Sequence, residues 1–348
     1  MSKPFFRAAV AASVVLLTLA VSCQRRPLYD LDERVRLVVE IDTDGISNIT
    51  KDIYNPKIAV PSLSTDMLRV LVYGPTTKAL LTQSFISEKS HAANGHEVIS
   101  GTVEVGQGDF DFVAYNFDTP TTKIKSEDNE NNALAYTEEV PASLKEKYLT
   151  KATDFNSLPV NYEPEHLFVA RIMDYHISAR DTLSVIYAKA NTIIDTYYIQ
   201  IRVDGLKNAA SAFGVISGLS PSNTFVPNVR TSSPATGVYF DLIKSTDDNI
   251  AEENKDVLCA IFSTFGKLEN VSSDVLFTVN VVDANGDIQQ KEVNLDAIFK
   301  TENAVKRHWL LIDEVWKIEP PDPGPGVSGG GFQPEVGDWD PEEGGISL

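Results

Sequence analysis

The chain has 348 residues, of which 49 are acidic and 30 are basic, giving a formal charge of −19. The acidic residues are spread along the chain. Because nucleic-acid binding requires a basic face, this composition excludes that class of partner. The same charge keeps the body of the protein from lying flat on anionic lipid. At this length the chain can form two domains with sizeable cores.

The N-terminal segment predicts an export signal. Lys3 and Arg7 precede a run over residues 8–20 that is almost wholly apolar or small, and too short to span a bilayer comfortably. Cys23 directly follows an Ala-Val-Ser sequence, and lipoprotein processing requires small residues before a cysteine. We therefore predict a signal peptide at residues 1–22. In the alternative interpretation the signal is an ordinary secretory one and its cysteine is incidental.

Cleavage would make Cys23 the first mature residue and allow it to carry acyl chains such as palmitate. Each buried methylene of such a chain adds about 0.8 kcal/mol of membrane affinity, so multiple acylation would hold the protein on the outer membrane. Residues 23–34 are then a short spacer. Acylation also leaves Cys259 without a partner in the chain, and its apolar surroundings predict a buried structural thiol.

Short strands separated by turn residues predict a first β-sandwich over residues 35–165. The first strand alternates, with Val35, Leu37, Val39 and Ile41 on one side. Further strands are predicted at 67–73, 80–87, 96–105 and 110–116, an exposed polar loop at 118–132, and a short helix at 142–149.

Residues 156–165 contain two prolines, which favours a hinge before a second β-sandwich at 166–318. Residues 197–204 alternate cleanly, which predicts Ile199, Ile201 and Val203 inward and Gln200, Arg202 and Asp204 outward. Other strands are predicted at 167–177, 237–242, 257–265, 275–282, 291–295 and 309–316. The Asn-Gly pair within 283–287 predicts a hairpin turn, in preference to the calcium loop that its aspartates resemble.

From residue 319 the composition changes to a linker rich in proline and glycine, which cannot form a core. Five large apolar residues nevertheless follow it among glycines and acidic residues: Phe332, Val336, Trp339, Ile346 and Leu348. An exposed tail has no physical reason to keep such residues. We therefore predict that the tail is a donor strand, docking either in the protein's own second domain or in a partner's groove.

Few residues in this sequence indicate catalysis. The histidines (His91, His96, His166, His176 and His308) lack the spacing of a metal site, and neither a nucleophile elbow nor a phosphate-binding loop occurs. We therefore predict a protein that is not an enzyme and that carries no metal or cofactor.

Four stretches resemble the fimbrillin-like lipoproteins of Bacteroidales, which include subunits and anchors of type V pili. They are Cys23 with Arg25-Arg26-Pro27-Leu28, the strand end Phe112–Thr119, the segment Gly214–Ser222, and Val336–Trp339 in the glycine-rich tail. The resemblance implies two consecutive transthyretin-like β-sandwich domains, a lipid-anchored precursor, and assembly with other fimbrial subunits by strand exchange. In shaft subunits of this family an arginine-specific protease removes the first strand. No arginine here is flanked in a way that marks it for cleavage, which favours an anchor or accessory subunit.

The sequence is also compatible with two alternatives. One is a tethered, β-rich lipoprotein that binds surface glycans through exposed aromatic residues. The other is an extracytoplasmic hydrolase, which would need a cleft with clustered carboxylates or histidines.

Overall fold

The computed structural model describes residues 34–45, 49, 52–148, 158–178, 183–232, 234–251, 255–268 and 274–322. Within these ranges the chain is built mainly of strands, with two short helices at Ala142–Tyr148 and Glu302–Arg307. The strands are β1 Arg34–Asp42, β2 Leu68–Tyr73, β3 Leu80–Ile86, β4 Glu88–His91, β5 Glu97–Glu104, β6 Gly108–Asn116, β7 Lys123–Lys125, β8 Leu134–Tyr136, β9 Val160–Tyr162, β10 Phe168–Ile177, β11 Leu183–Thr192, β12 Asp195–Asp204, β13 Ser211–Leu219, β14 Ser222–Thr224, β15 Val229–Arg230, β16 Thr236–Thr246, β17 Asp256–Thr264, β18 Leu276–Val282, β19 Ile288–Asn294 and β20 Trp309–Lys317.

The first sheet has the order β3-β2-β6-β10-β11-β1-β5-β4. Its two end strands, β3 and β4, are separated in sequence by Ser87 alone, so one stretch of chain joins both ends of the sheet. The sheet therefore closes on itself around a core that includes the predicted alternating residues of β1. Gly101 permits this closure, because a Cβ atom there would lie 2.6 Å from the Ile86 side chain.

The second sheet has the order β19-β18-β13-β16-β17-β12-β20, and β9 pairs with β16. β16 passes from one layer to the other, because residues 236–242 pair with β13 and residues 243–246 pair with β17. Stacked rings of Phe240, Phe262 and Phe277 fill the space between the layers. The predicted fold class, two successive β-sandwich domains, is confirmed.

A small third sheet, β15-β14-β8-β7, takes two strands from each half of the chain. It covers the outer face of the first sheet, where Tyr115 packs against Phe225 with ring centroids 5.1 Å apart. Arg171 donates hydrogen bonds to the carbonyl oxygen of Phe225. The stretch predicted as an exposed loop, 118–132, thus contains β7 and buried side chains, because β7 and the neighbouring loop cover an apolar sheet face.

Residues 52–58 cross from β1 to the outer face of the second sandwich. Tyr54 donates a hydrogen bond to Asp247, 2.8 Å away, and its ring packs against Trp309. Because residues 52–58 cover this face, Gln200 is buried although it was predicted to point outward. Ile199, Ile201 and Val203 lie in the core, as predicted. The Cys259 thiol lies in the same cluster, where burial raises its pKa to about 11, as expected for a structural cysteine.

The predicted division at residue 165 does not coincide with the change of sheet. β10 and β11 follow that position and hydrogen bond within the first sheet, whereas β9 precedes it and pairs with the second sheet. The two prolines indicated a hinge, but the sheet to which each strand belongs is decided by pairing with strands that are distant in sequence. As a division into independent folding units, the boundary stays a prediction.

Two further predictions concern local structure. The helix predicted near residue 142 is present, and the turn at 283–287 has Gly286 at φ 84° with the Asp283 carboxylate accepting from two backbone N–H groups. Across the described ranges, no helix has the length and apolar character needed to cross a membrane.

A candidate partner-binding edge

Strand β11 is paired along one side only. Its residues pair in parallel with the whole of β1, from Arg34 opposite Leu183 to Asp42 opposite Asn191. Toward β10, pairing is confined to the last two residues, Asn191 and Thr192. Among the described residues, positions 183–190 therefore have no strand partner on that side. This open edge, residues 183–190, is about 26 Å long at 3.3 Å per residue.

Most side chains of the open edge are apolar, and its one charged residue, Lys189, is paired with Asp42 of β1. Ile186 points into the core, while Leu183, Val185 and Tyr187 alternate on the solvent side. Tyr187 is 78% exposed. Met173 on β10 is exposed as well. Unpaired backbone beside alternating apolar side chains is a template for an added strand.

A bulge in β10 accounts for the gap between the two strands. The pairing of β10 with β6 shifts between Ile172 and Tyr175, and Asp174 there has φ 52°. The backbone N–H of Asp174 donates to Asp111 Oδ1 at 2.6 Å, which fixes the bulge against β6. Since a bulge bends its strand, β10 follows β6 and separates from β11 beyond their shared end.

The terminal strands of the second sandwich have a different character. β19 and β20 carry polar and charged residues, and Lys291 Nζ lies 2.5 Å from Glu314 Oε1 between them. Charges on edge strands oppose pairing with another chain. The first sheet therefore offers the edge that is chemically suited to a partner strand.

The predicted site residues lie outside the described ranges. These are Cys23 and the tail residues Phe332, Val336, Trp339, Ile346 and Leu348. The open edge was missed, because β11 was not recognised as a strand. Its Val-Ile-Tyr-Ala run is apolar at successive positions, which hides the two-residue period. A short apolar run of this kind is compatible with a strand buried on both faces, but which edge of a sheet stays unpaired depends on distant strands.

A cleft of about 390 Å³ lies beside the junction of the two sandwiches, lined in part by Asp118, Glu163, Glu165 and His166. Its acidic side chains already accept hydrogen bonds from other residues of the protein. Glu165 Oε2 accepts from the Thr121 N–H at 2.8 Å, and Asp118 accepts from Thr65 and the Asp66 N–H. The cleft thus joins chain segments and does not present the exposed aromatic face expected of the glycan-binding alternative.

Two partly buried ionisable groups in this cleft have opposite effects on stability as the pH changes. Burial raises the pKa of Glu163 to about 7, although its carboxylate accepts from the Ser263 N–H at 3.1 Å. Burial lowers the pKa of His166 to about 4. Ionised Glu163 is disfavoured in the folded protein, so its contribution lowers the free energy of unfolding progressively as the pH rises from about 4.5 to 7. Protonated His166 is likewise disfavoured in the folded protein, which lowers the free energy of unfolding at low pH. This loss disappears as the pH rises from about 4 to 6.5.

The substitution Glu163→Gln should therefore stabilise the protein at pH 8 and have little effect at pH 5. The shift in pKa corresponds to a gain in free energy of unfolding of about 3 kcal/mol at pH 8. Urea unfolding at both pH values measures it. The exposed Glu292→Gln serves as the control and should change stability equally at both. A Glu163→Gln gain that is equal at the two pH values would refute this assignment.

One cluster brings a histidine to two aspartates, which the sequence spacing did not indicate. Ligand atoms of Asp42, Asp44 and His96 lie within 4.8 Å of one another. Lys189 Nζ is 3.1 Å from Asp42 Oδ2, and His96 Nδ1 is 2.8 Å from Glu40 Oε1. These contacts pair the acidic groups with basic side chains of the same domain.

Comparisons with known proteins agree with this architecture. A family model described as a domain of unknown function, DUF5119, matches residues 77–241. The "Putative fimbrium anchoring subunit Fim4B" of Bacteroides ovatus is 20% identical over 310 residues, covering 87% of this chain and 77% of that protein. The predicted resemblance to the fimbrillin-like proteins of Bacteroidales is confirmed.

Solved structures extend the similarity to the fold. The crystal structure of a putative adhesin from Bacteroides ovatus aligns with 86% of this chain and 98% of its own, with a TM-score of 0.57 and 17% identity. The fimbrial anchor protein Mfa2 from Porphyromonas gingivalis aligns with 82% of this chain and 91% of its own, with a TM-score of 0.46 and 14% identity. The similarity to the adhesin from Bacteroides ovatus covers both sandwiches, and the DUF5119 match includes β10 and the open edge.

Proposed function

We propose that this protein is a non-catalytic outer-membrane lipoprotein of a fimbrium, an anchor or accessory subunit that joins neighbouring subunits by strand exchange and supports adhesion. The observation that carries the proposal is the open edge of β11. The similarity to a fimbrium anchoring subunit supports the fimbrial setting. The predicted acylation of Cys23 supplies the membrane attachment.

The open edge supports strand exchange on energetic grounds. A partner strand of about eight residues would satisfy the unpaired N–H and C=O groups of residues 183–190. Its side chains would cover Leu183, Val185 and Tyr187, whose burial contributes about 25 cal/mol for each Å² removed from water. Backbone pairing thus gives affinity, and the alternating side chains give register and specificity.

Lipid attachment and strand pairing together fit a subunit at the cell surface. The acyl chains would hold the N-terminus at the membrane, while the acidic body stays away from anionic lipid. β1 is paired on both sides, with β11 and with β5. Keeping this strand in place is compatible with a subunit that retains its lipid anchor.

Charge placed on the open edge tests the proposal. The double substitution Val185→Lys and Tyr187→Glu should leave the fold intact, because both side chains face solvent, and should reduce incorporation into fimbriae at least tenfold. The measurement is an immunoblot of the protein in fimbriae sheared from the producing cells, together with circular dichroism of the purified variant.

The matched control is Val305→Lys, on the solvent face of the helix Glu302–Arg307, which should incorporate normally. Normal incorporation of the edge variant would refute the role of the open edge. The glycan-binding alternative makes a different prediction: the melting temperature of the wild-type protein would rise with oligosaccharide and not with pilin.

A further inference from the structure

Three ionisable side chains from separate parts of the first domain meet beneath the loop that follows β7. Lys78 lies in the turn between β2 and β3, Asp111 lies on β6, and Glu130 lies in the loop itself. Lys78 Nζ is 2.8 Å from Asp111 Oδ2 and 3.2 Å from Glu130 Oε2. The amine therefore touches both carboxyl groups at once.

The two carboxyl groups are withdrawn from water. The Asp111 side chain is 0% exposed and the Glu130 side chain is 4% exposed, whereas Lys78 is 31% exposed. Among the ion pairs formed by described residues, these are the most buried carboxylates. Their reactivity is consequently set by each other and by Lys78, since water reaches them poorly.

Strained backbone holds the groups in place. Lys78 has φ 55°, and its backbone N–H donates to the Gly74 carbonyl at 2.7 Å while its own carbonyl accepts from the Glu130 N–H at 2.8 Å. Asp174, whose N–H binds the other oxygen of Asp111, also has positive φ. Non-glycine residues rarely adopt this conformation, and such strain concentrates at sites where geometry is functionally constrained.

The charge balance of the cluster favours a proton on one of its two carboxyl groups. Burial, together with the adjacent Asp111 carboxylate, raises the pKa of Glu130. A single lysine cannot neutralise two buried carboxylates, which favours a proton on Glu130 while Asp111 pairs with Lys78. The cluster thus contains an amine, a carboxyl carbon beside it, and an acid in contact with both.

We propose that Lys78 and Asp111 condense to an intramolecular amide bond, with Glu130 carrying protons between them. A new bond forms between Lys78 Nζ and Asp111 Cγ, and one Cγ–O bond of Asp111 breaks. Lys78 first passes one ammonium proton to the contacting Asp111 Oδ2, which frees the lone pair of Nζ for attack at Cγ. The second proton leaves Nζ after the attack, and Oδ2 departs with two protons as one water molecule. Glu130 donates its proton to that oxygen and regains one from the attacking nitrogen, so it is unchanged at the end.

This condensation needs no reagent beyond the three side chains, because it involves no oxidation or reduction and releases only water. The bond would join the turn after β2 to β6, whose Asp111 also fixes the bulge of β10. A covalent link at this position would hold together the strands beside the open edge. The proposed bond does not depend on the proposed fimbrial function, because it forms within one chain.

Mass spectrometry of the purified mature protein tests the proposal. The intact mass should be lower than the sequence mass by one water, about 18 Da. Trypsin does not cleave after an acylated lysine, so residues 70–89 should appear joined to residues 90–123 as one branched peptide. Lys78→Arg and Glu130→Gln should each restore the sequence mass.

The matched control is Lys267→Arg, which alters an ion pair with a more exposed aspartate and should keep the mass deficit. A wild-type protein at its full sequence mass, with separate peptides 70–78 and 79–89, would overturn the proposal. So would a lost water located at Asp44-Gly45, where a succinimide could form, because Lys78→Arg would not restore it. A deficit that survives Glu130→Gln would refute the role of Glu130.

Discussion

Removal of residues 332–348 should leave both sandwiches folded and abolish assembly with partner subunits. Described residues between Val35 and Ile318 form the apolar cores of both sandwiches by packing against one another. The five apolar residues of the tail, predicted to dock in a groove, would be lost together. The melting temperature should change little, while complexes detected by native electrophoresis should disappear.

Two further variants distinguish the contribution of the apolar side chains to assembly from that of the length of the tail. Replacing all five with serine should abolish assembly as fully as the deletion does. Replacing Glu342 and Glu343 with glutamine alters the same segment without removing an apolar side chain, and should leave assembly intact. Polymers or complexes formed normally by the truncated protein would exclude the tail as the donor strand.

The substitution Cys23→Ala should release the protein from the membrane into the soluble periplasmic fraction. Acyl chains on this cysteine are the predicted membrane contact, and two or more chains are needed for stable attachment. The rest of the mature chain carries about −21 in charge, with 28 basic and 49 acidic residues, and so has little affinity for anionic lipid. Membrane fractionation followed by immunoblotting measures the redistribution.

The second cysteine of the chain provides the control. Cys259→Ala removes a buried thiol and should leave the protein with the membranes. If the Cys23→Ala protein still fractionates with membranes, lipid on this residue is not what holds it there. A radiolabelled fatty acid should be incorporated into wild-type protein and into the Cys259 variant, and not into the Cys23 variant.

Much of the fold could be predicted from local patterns. Alternation placed Val35, Leu37, Val39 and Ile41 in the core, because the two-residue period of a strand and burial on one face leave a direct trace in sequence. The turn at Asn285-Gly286 was predictable for a similar reason, since glycine tolerates positive φ. Patterns of this kind record what each residue contacts within its own strand or turn.

The failures share a different cause. Gln200 is a polar residue on a strand, where alternation alone predicts exposure, and it is buried by residues 52–58, which are distant in sequence. The open edge was missed because an unpaired side is a property of neighbouring strands and of the bulge at Asp174. No local pattern records which segments cover a sheet or which strand separates from its neighbour.

The sequence by itself determined that the chain is an acidic all-β protein, because these properties depend on composition, spacing and local periodicity. The N-terminal export signal stays a prediction. Only the tertiary structure decided that β11 lacks a partner along most of one side, and that Lys78, Asp111 and Glu130 meet. These facts depend on contacts between residues tens of positions apart, whose free energy is set by the whole packed sheet and not by any one segment.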